Sequence, residues 1–559
     1  MKYTLLMTLL APALLAGCNL EKKEEPFQAR HIRAGYDAGQ VCQQLRQGWQ
    51  EDGIAIPASQ VSCHYLTVPL DYDKEWVQIK ETKWEKRSAA RADSSLFADN
   101  SPRFSSWPDK PVRPHVKQET RTVKGDTLDI FYLHYRASGD YRGTLFYNPG
   151  GPTSATPDLG LLLGLLRSAN PAILEHYDIV TLDPRGAGYS ALGHELRSCL
   201  LTDKQGVRPD MSPAQLAQLF ASRDKGALPA LQSGADQGKA FSTALLARCD
   251  EPLRLHAPHL GSRAVVEDME RLRQHLGRER ITPITFSYGT RLAALYAARY
   301  PSHVANLVVD SPMSPAESRY SAIFRGDAEN ANRILAWRFG DQALQRSMAV
   351  TRQVRDDGRY VDNQGNVLDR DRWEAVMSDA ISGSRRDDQL TFWQQDDAGP
   401  LLARLADQAD DNPYQELQEM PFFSAIHCTD NSEPYGWQTL DPEDAAFQGA
   451  GALLLAKSFN TCADWPYPRQ PIASYGAGEI KLPDDAKALV LGAEYDPNTP
   501  FAGARQMQAA FGSAARMVQV AQSNQHGQLN SSRCAQAALS TLLLGDVASL
   551  PAEQRCLAD

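Results

Sequence analysis

One stretch constrains the fold of this chain more than any other: Ile281-Thr-Pro-Ile-Thr-Phe-Ser-Tyr-Gly-Thr290. An Ala/Leu-rich run follows it from Arg291 to Tyr300, where Pro301 stops it. The apolar, β-branched approach predicts a buried strand and the run after it a helix, so Ser287 stands at the apex of a strand–turn–helix unit. Such a turn lifts a serine hydroxyl above the sheet. It also aims the first N–H groups of the helix at the space above that hydroxyl. The same serine would serve equally as a helix N-cap, so the reading depends on what else the chain supplies, and in what order.

The 559 residues suffice for about three average domains, or for one large domain with insertions. Apolar residues make up 42% and charged residues 23%, a globular balance, and the net charge of −10 excludes the basic excess of a nucleic-acid binder. No phosphate-cradling glycine loop and no zinc-spaced His/Cys cluster stands out, so no cofactor and no metal are expected. At the start, Met1-Lys-Tyr-Thr precedes the apolar run Leu5 to Leu15 and then Ala16-Gly17-Cys18. That run is too short to span a membrane and predicts a signal peptide over 1–17. Leu15-Ala-Gly-Cys18 resembles a bacterial lipobox, which implies cleavage before Cys18 and a lipid on it. With Asn19 rather than Asp next, the expected address is the outer membrane, facing the periplasm and touching the membrane through that lipid only. Residues 18–40, with Glu21-Lys-Lys-Glu-Glu25, read as a tether. Eight further cysteines in an oxidising compartment predict disulfides. They fall into four neighbouring pairs, and because local closure costs little entropy the expected bridges are Cys42–Cys63, Cys199–Cys249, Cys428–Cys462 and Cys534–Cys556.

Leu128 to Tyr135 and Gly143 to Tyr147 read as strands, the second running into Asn148-Pro-Gly-Gly-Pro152. Glycines at a strand end let backbone amides face a ligand without obstruction. That makes Gly151 a candidate oxyanion donor beside the Tyr288 amide, with a plain Pro-Gly turn as the competing reading. Tyr177 to Leu182 leads into Asp183-Pro-Arg-Gly186, where Arg185 reads as structural. Ser262 to Leu276 carries Val265, Met269, Leu272 and Leu276 on one helical face, and Val304 to Asp310 is the next buried strand. Strands alternating with helices predict a doubly wound, mostly parallel α/β sheet. Its first part covers 41–312, with a polar insertion over 73–117 that lacks sustained periodicity. Amphipathic helices over 313–480 predict a cap, and the core resumes over 481–559.

Ser287, Asp496 and His526 each close a predicted strand, in the order nucleophile, acid, base. A serine hydroxyl alone is a poor nucleophile, so His526 must take its proton and return it to the leaving group. Asp496 would fix the imidazole tautomer, with Glu494, two residues earlier, as the fallback acid. That order belongs to α/β-hydrolases. The chain further resembles the serine peptidases of that fold typified by tripeptidyl aminopeptidases and proline iminopeptidases. The matching residues are Val68-Pro-Leu-Asp-Tyr72, Asn148-Pro-Gly-Gly-Pro152, Asp183-Pro-Arg-Gly186, Phe286-Ser-Tyr-Gly-Thr290, Ala425-Ile-His-Cys-Thr-Asp430, Cys462-Ala-Asp-Trp-Pro466, Asp496-Pro-Asn-Thr-Pro500 and His526-Gly527. The closing segment from Ser532 to Cys556 is similar as well. The resemblance implies Ser287, Asp496 and His526 as a triad, the Gly151 and Tyr288 amides as oxyanion hole, and release of short pieces from the amino terminus of peptides. Thr285 and Thr153 depart from the family's glycines; neither removes a catalytic group.

An exopeptidase must hold its substrate's terminal ammonium, which calls for a carboxylate facing the serine. Asp430, then Glu433, beside the expected Cys428–Cys462 bridge, are the candidates. A carboxylesterase or lipase would use the same triad, and an inactive hydrolase-fold binding protein would keep the fold alone. Peptides are the expected partners, nucleic acid is not, and the oligomeric state stays open.

Overall fold

A computed structural model describes residues 30–51, 53–54, 56–73, 79–85, 115–121, 125–199, 246, 249–383, 387–407, 413–434, 441, 443–457, 462 and 464–559. The expected signal segment, Cys18 and most of the tether lie outside the described residues. Ten strands form the central sheet: β1 (His31–Ile32), β2 (Val61–Pro69), β3 (Thr127–Tyr135), β4 (Gly143–Asn148), β5 (Tyr177–Leu182), β6 (Thr282–Phe286), β7 (Leu307–Asp310), β8 (Ala488–Ala493), β9 (Ala515–Ala521) and β10 (Glu553–Leu557). Their order is β1-β3-β5-β4-β6-β7-β8-β9-β10, with β2 along β3. Strand β3 runs antiparallel to β2 and β5, and every pair from β5 through to β10 is parallel. Helices cover both faces, so the inner strands are buried on both sides rather than on alternate residues; β5 and β8 are buried at every residue.

Nine helices matter for the site: α1 (Leu159–Ala169), α2 (Ser262–His275), α3 (Gly289–Arg299), α4 (Tyr320–Phe339), α5 (Asp341–Asp357), α6 (Arg370–Ser382), α7 (Pro413–Asp430), α8 (Phe501–Phe511) and α9 (Arg533–Leu544). One core layer joins Val265, Met269 and Leu272 of α2 to Leu292 and Tyr296 of α3 and Met507 of α8. The opposite layer joins Leu162 and Leu166 of α1 to Leu539 and Leu542 of α9. Val308 and Val309, adjacent in β7, belong to opposite layers, as the two-residue period of a strand requires.

The expected cap has a cluster of its own, built on Ile334, Leu335, Val350, Val376, Met377 and Trp393. Its edges differ from the expected ones. Phe422, Ala425 and Ile426 of α7 pack into the main core, as do Trp465, Tyr467 and Ile480. The insertion over 73–117 also holds more order than expected at its ends, where Ile79–Glu85 pairs antiparallel with His115–Arg121. Neither sequence alternates apolar with polar residues, so no period-two signal marks them. All four cysteine pairs are bonded in sequential order, with Cα–Cα separations of 5.6, 5.2, 4.9 and 6.2 Å. Among the described residues no helix is long and apolar enough to cross a membrane.

Candidate active site

Strand β6 ends at Phe286, and Ser287 takes a left-handed conformation with φ 52° before α3 begins. A non-glycine residue in this region is strained and is held there by its surroundings. Here the Ser287 N–H donates to the Asp310 carbonyl at 3.0 Å, and the Ser287 carbonyl accepts from the Thr290 N–H at 3.1 Å. Thr285 needs no glycine's space: its side chain is fully buried and its hydroxyl donates to the Val308 carbonyl at 3.1 Å. Gly289 does need it, because a Cβ there would lie 2.5 Å from Asn148 Oδ1.

The Asn148–Pro152 loop presses on this turn. Gly150 and Gly151 have φ of 105° and 99°, which side chains rarely adopt. A Cβ on Gly150 would sit 2.8 Å from the Ser287 Cβ and 3.3 Å from the Tyr288 nitrogen. Neither the Gly151 nor the Tyr288 amide donates to an acceptor among the described residues. Asp183 braces the loop from behind, accepting from the Ser154 hydroxyl (2.8 Å) and the Ala155 and Thr156 amides (2.9 and 3.0 Å).

His526 follows β9 in a turn whose Gly527 lies beside Phe286. Its Nδ1 lies 2.9 and 3.0 Å from the two oxygens of Asp496, which is buried and also accepts from the Asn498 and Thr499 amides at 2.9 and 3.0 Å. Burial pulls the His526 pKa down. The hydrogen bond and charge of Asp496, with Asp310 behind it, outweigh that and leave it above the ordinary value. No Ser287–His526 hydrogen bond forms in this structure, although both residues flank Asp310; such contacts commonly tighten only around substrate.

A family model described as the alpha/beta hydrolase fold matches residues 143–531, well over half of the sequence. The chain belongs to the α/β-hydrolase family. Similar relatives include the serine protease Hip1 of Mycobacterium tuberculosis, 25% identical over 412 residues (67% of this chain, 74% of the relative). The tripeptidyl aminopeptidase of Streptomyces coelicolor is 24% identical over 422 residues (69% and 71%). Carboxylesterase B of Mycobacterium tuberculosis is 26% identical over 422 residues (67% and 73%).

In this α/β-hydrolase the residues expected to meet the substrate's ammonium are engaged by protein donors. Asp430 is fully buried beneath the elbow: it accepts from the Ser262 N–H at 2.8 Å and from the Ser262 hydroxyl, which lies 2.6 Å from the Tyr288 hydroxyl. Burial, only partly offset by these donors, raises its pKa to about 6. It anchors the Tyr288 side chain through Ser262. Glu433 accepts from the Ser321 hydroxyl at the start of α4. Glu494 accepts from the Gln522 amide at 3.1 Å, which leaves Asp496 as the partner of His526. Arg185 is structural as expected, bound at 2.8 and 2.6 Å to Asp268 and at 2.8 Å to the Leu70 carbonyl.

Two features escape the sequence reading. Asp310, read only as a strand end, and Ser311 after it hold the turn after His526. Asp327 of α4 is half-buried, and no donor or cation among the described residues meets its carboxylate. It sits one turn before Asn330, whose side-chain amide donates to the Asp496 carbonyl at 2.7 Å, so it shares the helix face turned toward the acid. Burial first, and then the charge of Asp496, push its pKa up to about 8. The signal available was its place in the stripe Tyr320, Phe324, Asp327, Ala331, Ile334, where a core helix carries apolar residues.

Proposed function

We propose that this protein is a serine hydrolase that removes residues from the free amino terminus of peptides. Ser287 Oγ attacks the scissile carbonyl carbon while its proton passes to His526 Nε2, the ring nitrogen that Asp496 does not engage. The Tyr288 and Gly151 amides receive the developing oxyanion. His526 then protonates the departing amine, and water repeats the sequence on the acyl-enzyme. The left-handed Ser287 and the His526–Asp496 pair, both segments tied to Asp310, support the hydrolase chemistry. The observation that carries the aminopeptidase reading is Asp327: a half-buried carboxylate on the helix face turned toward Asp496, met by no donor or cation among the described residues, is a place for a cation, and a peptide's terminal ammonium is such a cation. The aminopeptidase and protease relatives support it too.

The test compares peptidyl arylamides carrying free or acetylated amino termini with neutral acyl esters. Acetylation should raise KM strongly for the natural protein and hardly at all for Asp327→Asn. Equal rates with and without acetylation, with esters preferred, would favour the esterase reading that the carboxylesterase B relative suggests. The proposal extends to the cell envelope: a lipid on Cys18 would hold the enzyme at the outer membrane, and Cys18→Ser should move it from the membrane to the soluble fraction.

A further inference from the structure

Ser287, Asp496 and His526 come from three separate segments, and one dipeptide touches all three. Asp310 ends β7, in register with Phe286 of β6 on one side and Leu491 of β8 on the other. Its carbonyl accepts the Ser287 N–H at 3.0 Å, and the next N–H, that of Ser311, donates to the Leu491 carbonyl at 2.9 Å. Strand β8 leads on to Asp496. The side chains reach the third segment. Three consecutive amides after His526 end on this pair: Gly527 on the Ser311 hydroxyl, and Gln528 and Leu529 on the two Asp310 oxygens, each at 2.8 Å. The Gln528 side chain adds a bond to the same hydroxyl at 3.3 Å, and that hydroxyl lies 3.4 Å from Asp310 Oδ1. Both residues are buried.

The local chemistry explains why the contact is tight. Gln528–Asn530 is a short 3-10 turn whose first amides have no partner within the turn, and a carboxylate at that end satisfies them. Ser311 is left-handed, with φ 51°, as Ser287 is with φ 52° on the neighbouring strand. Two adjacent strands therefore end in the same strained conformation. The strain at Ser311 turns its hydroxyl back toward the histidine loop instead of continuing the strand.

We propose that Asp310 and Ser311 are positioning residues that set the His526 imidazole against Ser287, one dipeptide holding the nucleophile by its main chain and the histidine turn by its side chains. This rests on the triad reading above. Displacing a general base by about 1 Å costs on the order of 100-fold in rate while leaving substrate binding unchanged. The loss therefore belongs in kcat, and in any reaction of Ser287 that needs His526.

The readout is the rate at which a fluorophosphonate labels Ser287, which requires an activated serine whatever the natural substrate is. Ser311→Ala removes the acceptor of the Gly527 amide, and Asp310→Asn keeps one acceptor and turns an amide against the other donor. Both should label about 10- to 100-fold more slowly than the natural protein, with KM for any substrate changed less than about twofold. Val308→Ala, a buried truncation on the same strand, controls for lost stability and should label at the natural rate. Ser311→Ala labelling as fast as Val308→Ala would overturn the positioning role and leave the triad intact. Should Asp310→Asn fail to fold, Ser311→Ala alone decides. No labelling of the natural protein, or equal labelling of Ser287→Ala, would overturn the triad reading and this role with it.

Discussion

Beneath the loops that carry Ser287, His526 and the paired glycines, each buried aspartate is crowded with donors. Asp183 takes two hydroxyls and three amides, Asp310 two amides, and Asp430 an amide and a hydroxyl. On the cap helix α4, the half-buried Asp327 takes none among the described residues. Burial raises the pKa of all four. For the first three the donors push back, and the carboxylate serves as a fixed acceptor that shapes a loop. For Asp327 the charge of Asp496 adds to the penalty instead. A half-buried carboxylate that the protein leaves without donors is a poor structural element and a good receptor.

The largest effect that could break this contrast is loss of the chemistry that both regions are proposed to serve. Ser287→Ala and His526→Ala should each lower kcat by about 10⁴-fold or more, on esters and peptides alike. If either variant retained ester turnover, the two regions would not share one mechanism. The next effect is on stability. Asp183→Ala strands five donors in the interior, and an unmade buried hydrogen bond is costly, so the loss should reach about 3–5 kcal/mol in denaturant unfolding. A loss near that of an ordinary surface substitution would mean that the loop does not depend on its carboxylate.

Asp327→Asn should behave in the opposite way. With no donor to strand, it should leave the unfolding midpoint unchanged or higher at pH 7 while raising KM for free-amine peptides by about tenfold. Its pH dependence has a definite sign. A pKa raised from the usual carboxylate range to about 8 means that the native state holds more protons than the unfolded chain across that interval. Stability therefore falls as pH rises from about 4 toward 8. The substitution should flatten that fall, and a profile identical to that of the natural protein would show that Asp327 is already compensated.

These contrasts explain which parts of the molecule could be read from the chain. The order of Ser287, Asp496 and His526, and the neighbouring cysteine pairs, are local or sequential properties, and each lies where the strand pattern or the spacing put it. The surroundings of Asp430 and Asp310 are not legible in the chain because their donors are remote. Ser262 is 168 positions from Asp430, and Gln528 and Leu529 are 218 and 219 positions from Asp310. A sequence gives the charge of an aspartate but not the number of N–H groups that will face it. Only Asp327 left a local trace, as a charge on an otherwise apolar stripe.

The smallest expected effect concerns Glu494, which belongs to neither class. It lies two residues before Asp496, near enough in sequence to serve as the acid. Its side chain, however, is 26% exposed, accepts from the Gln522 amide at 3.1 Å and stands 3.9 Å from Arg555. A partly solvated carboxylate at that distance from a guanidinium contributes about 0–1 kcal/mol. Glutamine keeps the acceptor for Gln522, so Glu494→Gln should leave kcat/KM within about twofold and stability within about 1 kcal/mol. Asp496→Asn, by contrast, spoils the tautomer that His526 needs and should cost about 10³–10⁴ in kcat. Measuring the two variants side by side assigns the acid without reference to substrate. If Glu494→Gln were the damaging one, His526 would have to turn away from Asp496, and the pair on which the proposed mechanism is built would not exist in the working enzyme.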